Sequence, residues 1–510
     1  MANAGYELVR TSLNLAAVPS ARPAIVRPVT RIQAIEGHLA VPAHVVPQTE
    51  DPLNHLLFAL KHEGVNMQIL AQALPKISAE RMLKELNDSP NGQYIRAACY
   101  LWELHTGAVL EGKPDIAGGY VDLFDPERYV TGPDNRNSRW RLNFNGLGSP
   151  MYCATVERSP AVEAGIRSDI LGRTKAFIDS LGKEMMDRAL SWAYLHETED
   201  SYAIEREAPS EDKARKFIAL LKQAHEGRPL SEEYLVELQS STVSGVFEKA
   251  VQFRNEQNWL RSGGNRGGAA SVSYVPPPPD AVLRLMDEWM AFANTAPKQI
   301  DPIVAASIAS FGFVYIHPFM DGNGRLSRFL FHKALCTSGQ LEKGALLPVS
   351  VAMKRHERQY LETLQAFSAP ARELVQVTSA GEGQFYFDFK ADDTIYRYWD
   401  ATPAVEFGFA MAEQALDVEL RQETQYLAHF DAIRRAIDER YDVRGSLLAT
   451  LISIAMDGEG TISISKRKRF AADLPAEVFD AIEAEARAVL ADAAEPTEDG
   501  DGSAIEPPPR

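Results

Sequence analysis

Cysteine is scarce in this chain: Cys99, Cys153 and Cys336 are the only three in 510 residues. Far apart and odd in number, they encode neither a disulfide framework nor a CxxC metal site, and a reducing, cytoplasmic setting is expected. Basic charge is short as well. Lys and Arg number 53 against 70 Asp and Glu, a formal charge of -17. The summed field repels polyanions, which excludes the whole chain as a general binder of nucleic acid or anionic membrane while leaving room for a local basic site. The first thirty residues lack the unbroken apolar stretch of a signal peptide, being interrupted by Pro and Arg. One segment without Asp, Glu, Lys or Arg, Ile303 to Met320, approaches the length of a membrane span, but it holds Ser307, Ser310, His317 and Pro318. It reads as a helix buried in a globular domain. No internal repeat is present. A hydrophobic fraction of 45%, a charged fraction of 24% and a mean hydropathy of -0.23 exclude collagen-like, disulfide-scaffold and wholly disordered classes. The length corresponds to roughly three domains.

Residues 1–50, rich in Pro and Ala without a sustained period, are expected to form an extended arm. Apolar spacings of three and four then predict helices across 51–228. Gly and Pro make 111–160 an irregular connection with short strands. Two helices divide at Pro209, the second capped by Ser210 with Glu211 and Asp212 at its positive end. A third block, 229–369, carries the chemistry. Residues 370–487 are again helical, and 488–510, acidic and rich in Gly and Pro, are expected to be disordered.

The informative stretch is VYIHPFMDGNGRLSRFLFHKAL, residues 314–335. An apolar helix ends at His317-Pro318, because proline disfavours helix in the residue before it. The Asp321-Gly322-Asn323-Gly324 loop can converge backbone N–H groups into a concave nest in front of the next helix start, which is an anion site. Arg325 and Arg328 can both reach a polyphosphate with forked geometry. Asp321 offers a hard oxygen ligand for Mg²⁺, and His317 is a candidate base for a hydroxyl. Any one of these features alone fits a helix-loop-helix with surface charges; together they describe a phosphate-transfer site.

The run matches HPFxxGNGRxxR, and the chain resembles the Fic family. The resemblance implies a mainly α fold: a helical core with a β-hairpin flap, here flanked by N- and C-terminal helical modules. It implies transfer of AMP from ATP to a Ser, Thr or Tyr hydroxyl of a target protein. Carried over, His317 is the base, Asp321 the Mg²⁺ ligand, Gly322, Asn323 and Gly324 the anion hole, Arg325 and Arg328 the phosphate clamps, and Phe319 a core aromatic. Removal of AMP, another nucleotide or phosphocholine as donor, and a regulator with a vestigial site stay open, as does a homodimer.

Upstream, Gln257–Leu260 and Ser271–Val275 flank a glycine-rich segment, a hairpin pattern whose edge could pair with an extended target. It is similar to the family's flap over 257–275, which puts Ser273 and Tyr274 at the nucleotide. Pro276–Pro279 leads into a helix, with a polyproline ligand as the other reading. Tyr360 matches an aromatic near the adenine or is a core tyrosine. Many relatives carry an inhibitory helix with the pattern [S/T]xxxE[G/N], whose glutamate pairs with the second motif arginine. Ser201 and Glu205 fit it, on one face of a helix over about 186–208, although Arg206 replaces Gly or Asn. Ser244 to Glu248 is a second candidate. In the C-terminal module, Lys466–Arg469 leaves DNA binding by a helix-turn-helix open beside a solvated face.

Overall fold

The computed structural model describes residues 2–35, 37–243, 248–261, 268–341, 343–381 and 384–492. The chain forms two compact units, 1–178 with 193–416, and 179–192 with 417–510. It is mainly helical.

In the first unit, residues 1–50 are not an extended arm. They form α1 (Gly5–Ser12) and a three-stranded sheet of β1 (Ala24–Val26), β2 (Gln33–Ile35) and β3 (His38–Val41), with β3 central. Apolar burial is the reason: Tyr6, Val9 and Leu15 share a core with Leu53, Leu56 and Leu70. That core includes α2 (Pro52–His62), α3 (Met67–Ala73), α4 (Ala79–Asp88) and α5 (Gln93–Thr106). The predicted irregular connection holds β4 (Val121–Asp122), β5 (Asn135–Asn137), β6 (Leu142–Phe144), β7 (Leu147–Ser149) and β8 (Tyr152–Ala154) in two small sheets. Next come α6 (Pro160–Arg167), α7 (Ile170–Ser180), α8 (Lys183–Ile204) and α9 (Glu211–Gln223). Ser210 caps α9 as its sequence predicts, its hydroxyl accepting from the Lys213 N–H.

The site is built from α10 (Glu232–Thr242), β9 (Leu260–Arg261), β10 (Val272–Tyr274), α11 (Pro279–Thr295), α12 (Pro302–Ile316) and α13 (Asn323–Thr337). Pro278 and Pro279 start α11, where a missing N–H costs nothing. The uncharged run is α12 and the loop after it. All of α12 but Val314 is buried, and a helix apolar on every side needs cover on every side. After α14 (Val349–Arg355), α15 (Glu357–Glu373), the hairpin β11 (Val375–Gly381) and β12 (Gln384–Phe389), and α16 (Thr394–Arg397), that cover is completed by α17 (Thr402–Gln414). Phe407 of α17 packs edge-on against Phe311 of α12. The unit therefore ends at 416 and not at the expected 369. The β11–β12 hairpin backs the flap, with Trp259 packed against Phe385 and Phe387.

The second unit packs α18 (Arg421–Asp438), α19 (Gly445–Asp457) and α21 (Ala476–Asp492) around Ile433, Ile437, Leu451, Ile452 and Ile482. Between them α20 (Ile464–Phe470) buries no residue, and its Arg467 pairs with Asp480 and Glu483. The helix continues past Ala488 to Asp492, because Val489 still packs on this core; the rest of the expected tail lies outside the described residues. The three cysteines are free thiols. Among the described residues no helix is long and apolar enough to cross a membrane.

Candidate active site

α12 stops at Ile316, and His317 caps it in a left-handed conformation at φ 52°. A non-glycine residue there is strained by about 1–2 kcal/mol, so something must hold it. Arg254 does: its Nε donates to the His317 carbonyl at 2.8 Å, its backbone N–H to the Pro318 carbonyl at 2.8 Å, and its guanidinium to the Pro277 carbonyl at 2.5 Å. Burial lowers the Arg254 pKa to about 10, leaving it charged at neutral pH. The His317 Nδ1 lies 3.0 Å from the Val314 carbonyl. A carbonyl only accepts, so Nδ1 carries the proton and Nε2 keeps a lone pair. Burial lowers the His317 pKa to about 4, with the Arg254 charge pushing the same way and the Val314 bond, Glu205 and Asp321 opposing. The imidazole is neutral at pH 7, the form a general base requires.

The loop behind it is tied from inside. Phe319 is buried between Phe253 and Phe313. The Asn323 side chain accepts from the Phe319 N–H at 3.0 Å and donates to its carbonyl at 2.7 Å, where Asn258 also donates at 3.0 Å. Gln239 donates to the Asp321 carbonyl at 3.1 Å. The Asn323 amide is thus committed to the loop, and what it has left for an anion is its backbone N–H. Gly322 caps α13 at φ 85°, a conformation open to glycine. A Cβ on Gly324 would lie 2.0 Å from Glu205 Oε1, so a carboxylate already sits against the positive end of α13. Asp321 is 45% exposed and accepts from the Gly322 N–H at 2.6 Å. Among the described residues no three acidic, His or Cys side chains converge. One exposed carboxylate fits Mg²⁺ that arrives with phosphate oxygens as its other ligands.

Arg325 and Arg328 are 2% and 1% exposed. Arg328 Nε donates to the Ser201 hydroxyl at 2.9 Å and its terminal nitrogen to the Ser201 carbonyl at 2.5 Å, and its other terminal nitrogen is 3.0 Å from Glu205 Oε1. Burial alone would lower the Arg328 pKa; Glu205 and Tyr360 together outweigh it and hold the value above the ordinary one. Ser201 and Glu205 are therefore brought to the second motif arginine. Glu205 is 37% exposed and lies just past the end of α8 at Ile204, so the helix expected over 186–208 stops short of it. Arg206 stands at φ 61°, which explains why Gly or Asn suits that position. Further back on α8, Glu197 is buried against His332 at 2.7 Å and accepts from the Ser350 N–H at 2.7 Å.

Two tyrosines expected near the nucleotide have buried side chains. Tyr274 points into the core, its hydroxyl donating to the Tyr315 carbonyl at 2.6 Å. Tyr360 is buried against Phe311 and Phe407 with Arg328 beside it, the core placement that the sequence left open beside the adenine. Ser273, on the opposite face of β10 from Tyr274, is exposed, its hydroxyl donating to the Leu260 carbonyl at 3.2 Å. The flap strands are β9 and β10, antiparallel and shorter than expected, because Gln257 and Asn258 use their side chains as anchors to Pro276 and Phe319. Of the second brake candidate, Ser244 to Phe247 lie outside the described residues. Arg254, Asn258, Gln239, Glu197 and Glu207 join the site without having been singled out.

In comparison with known proteins, the model of the Fic/DOC family matches residues 229–335. A protein adenylyltransferase Fic of Nematostella vectensis is 25% identical over 44% of this chain and 55% of its own length. Its counterpart from Aedes aegypti is 33% identical over 18% of this chain and 17% of its own. The chain thus spans about half, or less, of the length of these relatives. A crystal structure of a Fic family protein from Desulfovibrio desulfuricans G20 is similar at 19% identity and a TM-score of 0.39, covering 62% of this chain and 87% of that one.

Proposed function

We propose, from the match of residues 229–335 to the Fic/DOC family, that the chain is a protein adenylyltransferase restrained by its own Ser201–Glu205 segment. It transfers AMP from ATP to a Ser, Thr or Tyr hydroxyl of a target protein or of itself, in a reducing, cytoplasmic setting. One observation carries the reading: His317 is held neutral with Nε2 unprotonated, in one loop with an anion-binding helix start and two buried arginines.

In this reading Nε2 accepts the proton of the acceptor hydroxyl, whose oxygen bonds to the α-phosphorus. The bond from that phosphorus to the bridging oxygen breaks, and pyrophosphate leaves with the electron pair. Such transfers depend mostly on positioning and charge neutralisation, which Arg325, Arg328 and the α13 N–H groups are arranged to supply. Asp321 would hold Mg²⁺, which adds further charge neutralisation on the phosphates. Among the described residues β9 pairs with β10 alone, which leaves its outer edge for an extended target segment. Glu205, against both Arg328 and the start of α13, occupies ground that a terminal phosphate needs.

Intact-mass measurement after incubation with Mg²⁺ and each nucleoside triphosphate tests this. One adenylyl group gained with ATP, none in His317→Ala and more in Glu205→Gly is the expected outcome. A gain from a different donor reassigns the substrate, and equal labelling of wild type and Glu205→Gly removes the brake. No gain in any variant with any donor sinks the reading.

A further inference from the structure

Glu207 lies outside the five-residue pattern that singled out Ser201 and Glu205, yet it meets the other motif arginine. Its Oε2 accepts from Arg325 at 2.9 Å. Resting on the adenylyltransferase reading, we propose that Glu205 and Glu207 form a two-carboxylate clasp, Glu207 holding Arg325 as Glu205 holds Arg328, and that both must let go before ATP is fully bound.

Backbone geometry makes the clasp. Residues two apart in a continuous helix diverge by about 200°, and their carboxylates could not both face α13. Here α8 ends at Ile204, Arg206 turns left-handed at φ 61°, and the Glu207 N–H returns to the Tyr202 carbonyl at 3.1 Å. The turn aims both carboxylates at arginines three residues apart on one helix.

This arrangement engages both terminal nitrogens of Arg325. One also donates to the Thr242 carbonyl at 3.2 Å, the other lies 3.3 Å from Asp321 Oδ1, and the guanidinium stacks over Tyr202 at 5.1 Å. A phosphate arriving at Arg325 would meet two carboxylates already there, and like charges at one guanidinium repel. Glu207 is the releasable member: it is 42% exposed, whereas Arg325 is 2% exposed. Asp321 has its own use with Mg²⁺, and freeing it from Arg325 belongs to the same opening.

Titration calorimetry on the full chain, with Mg²⁺ and an ATP analogue carrying a non-transferable α,β-methylene bridge, tests the clasp. The proteins are wild type, Glu207→Gln, Glu205→Gly and the double variant. Glu207→Gln keeps the shape and removes the charge of a half-exposed side chain, and an unchanged melting temperature establishes that it folds. It is expected to bind the analogue about tenfold more tightly than wild type, and the double variant more tightly than either single one. Glu207→Gln binding as weakly as wild type, while Glu205→Gly binds more tightly, overturns the clasp and leaves the adenylyltransferase reading standing. Absence of binding in all four overturns both.

Discussion

The loop at 317–324 and the segment at 197–207 both reach Arg325 but are held in opposite ways. The loop is fixed by Arg254, Asn258, Gln239 and Asn323, all buried, whose hydrogen bonds end mainly on backbone groups of the loop. The segment has a dry root, where Glu197 meets His332 and Ser350, and a wet tip, where half-exposed Glu205 and Glu207 meet buried arginines. Leaving a buried polar group unpaired costs about 1–3 kcal/mol, while a half-exposed carboxylate that leaves its arginine regains water and an incoming phosphate can take its place. The loop's geometry is thereby built to stay, and the tip of the segment is built to come away without unfolding its root.

The largest expected effect lies on the loop side. His317→Ala should lower self-labelling with radiolabelled ATP by about 10²–10⁴-fold, the usual contribution of a positioned base, in a Glu205→Gly background where the wild-type signal is strong. Retained labelling would move the base elsewhere. Asn323→Ala comes next: it strips one bond each from the Phe319 N–H and carbonyl, and should cost about 1–3 kcal/mol in denaturant unfolding. Glu207→Gln keeps an oxygen acceptor for the buried Arg325 and should cost less than that, about 1 kcal/mol in the same assay. Equal losses would erase the distinction between a rigid loop and a releasable tip.

Much of the loop side is legible in sequence because it is local. His317, Asp321, Arg325 and Arg328 fall within one loop and one helical turn, so their spacing nearly determines their meeting. Ser201 and Glu205 are legible as an i, i+4 pair. Glu207 is hidden by a backbone feature, since only the left-handed Arg206 brings it to α13, and without that turn it belongs with the solvated acidic residues around it. Tyr274 shows a signal that was available: strand alternation puts it opposite Ser273, so both cannot face the nucleotide. The boundary at 416 was also signalled, because α12 has no polar side and needs more cover than residues up to 369 supply. The packing of residues 1–50 had no comparable signal, since strands of three or four residues are too short for a period to register.

A smaller effect should come from the turn itself. Arg206 pays left-handed strain of about 1 kcal/mol that glycine would not. Arg206→Gly should therefore tighten the restraint and lower basal self-labelling by about fivefold, with no change in a Glu205→Gly/Glu207→Gln background. A drop in that background too would mean that Arg206 serves the reaction directly.

The smallest effect concerns pH and tests the loop alone. An ordinary histidine titrates near 6.5, whereas burial holds His317 at about 4. Because the shift is downward, the neutral form that accepts a proton persists as pH falls and is lost only on approach to the lowered value. Initial rates of pyrophosphate release by Glu205→Gly should then be nearly level from about pH 8 to about pH 5.5 and fall below about pH 5. A break near 6.5 would show the imidazole hydrated in the working enzyme. The loop would then be opening together with the restraint, and the contrast between the two regions would not survive catalysis.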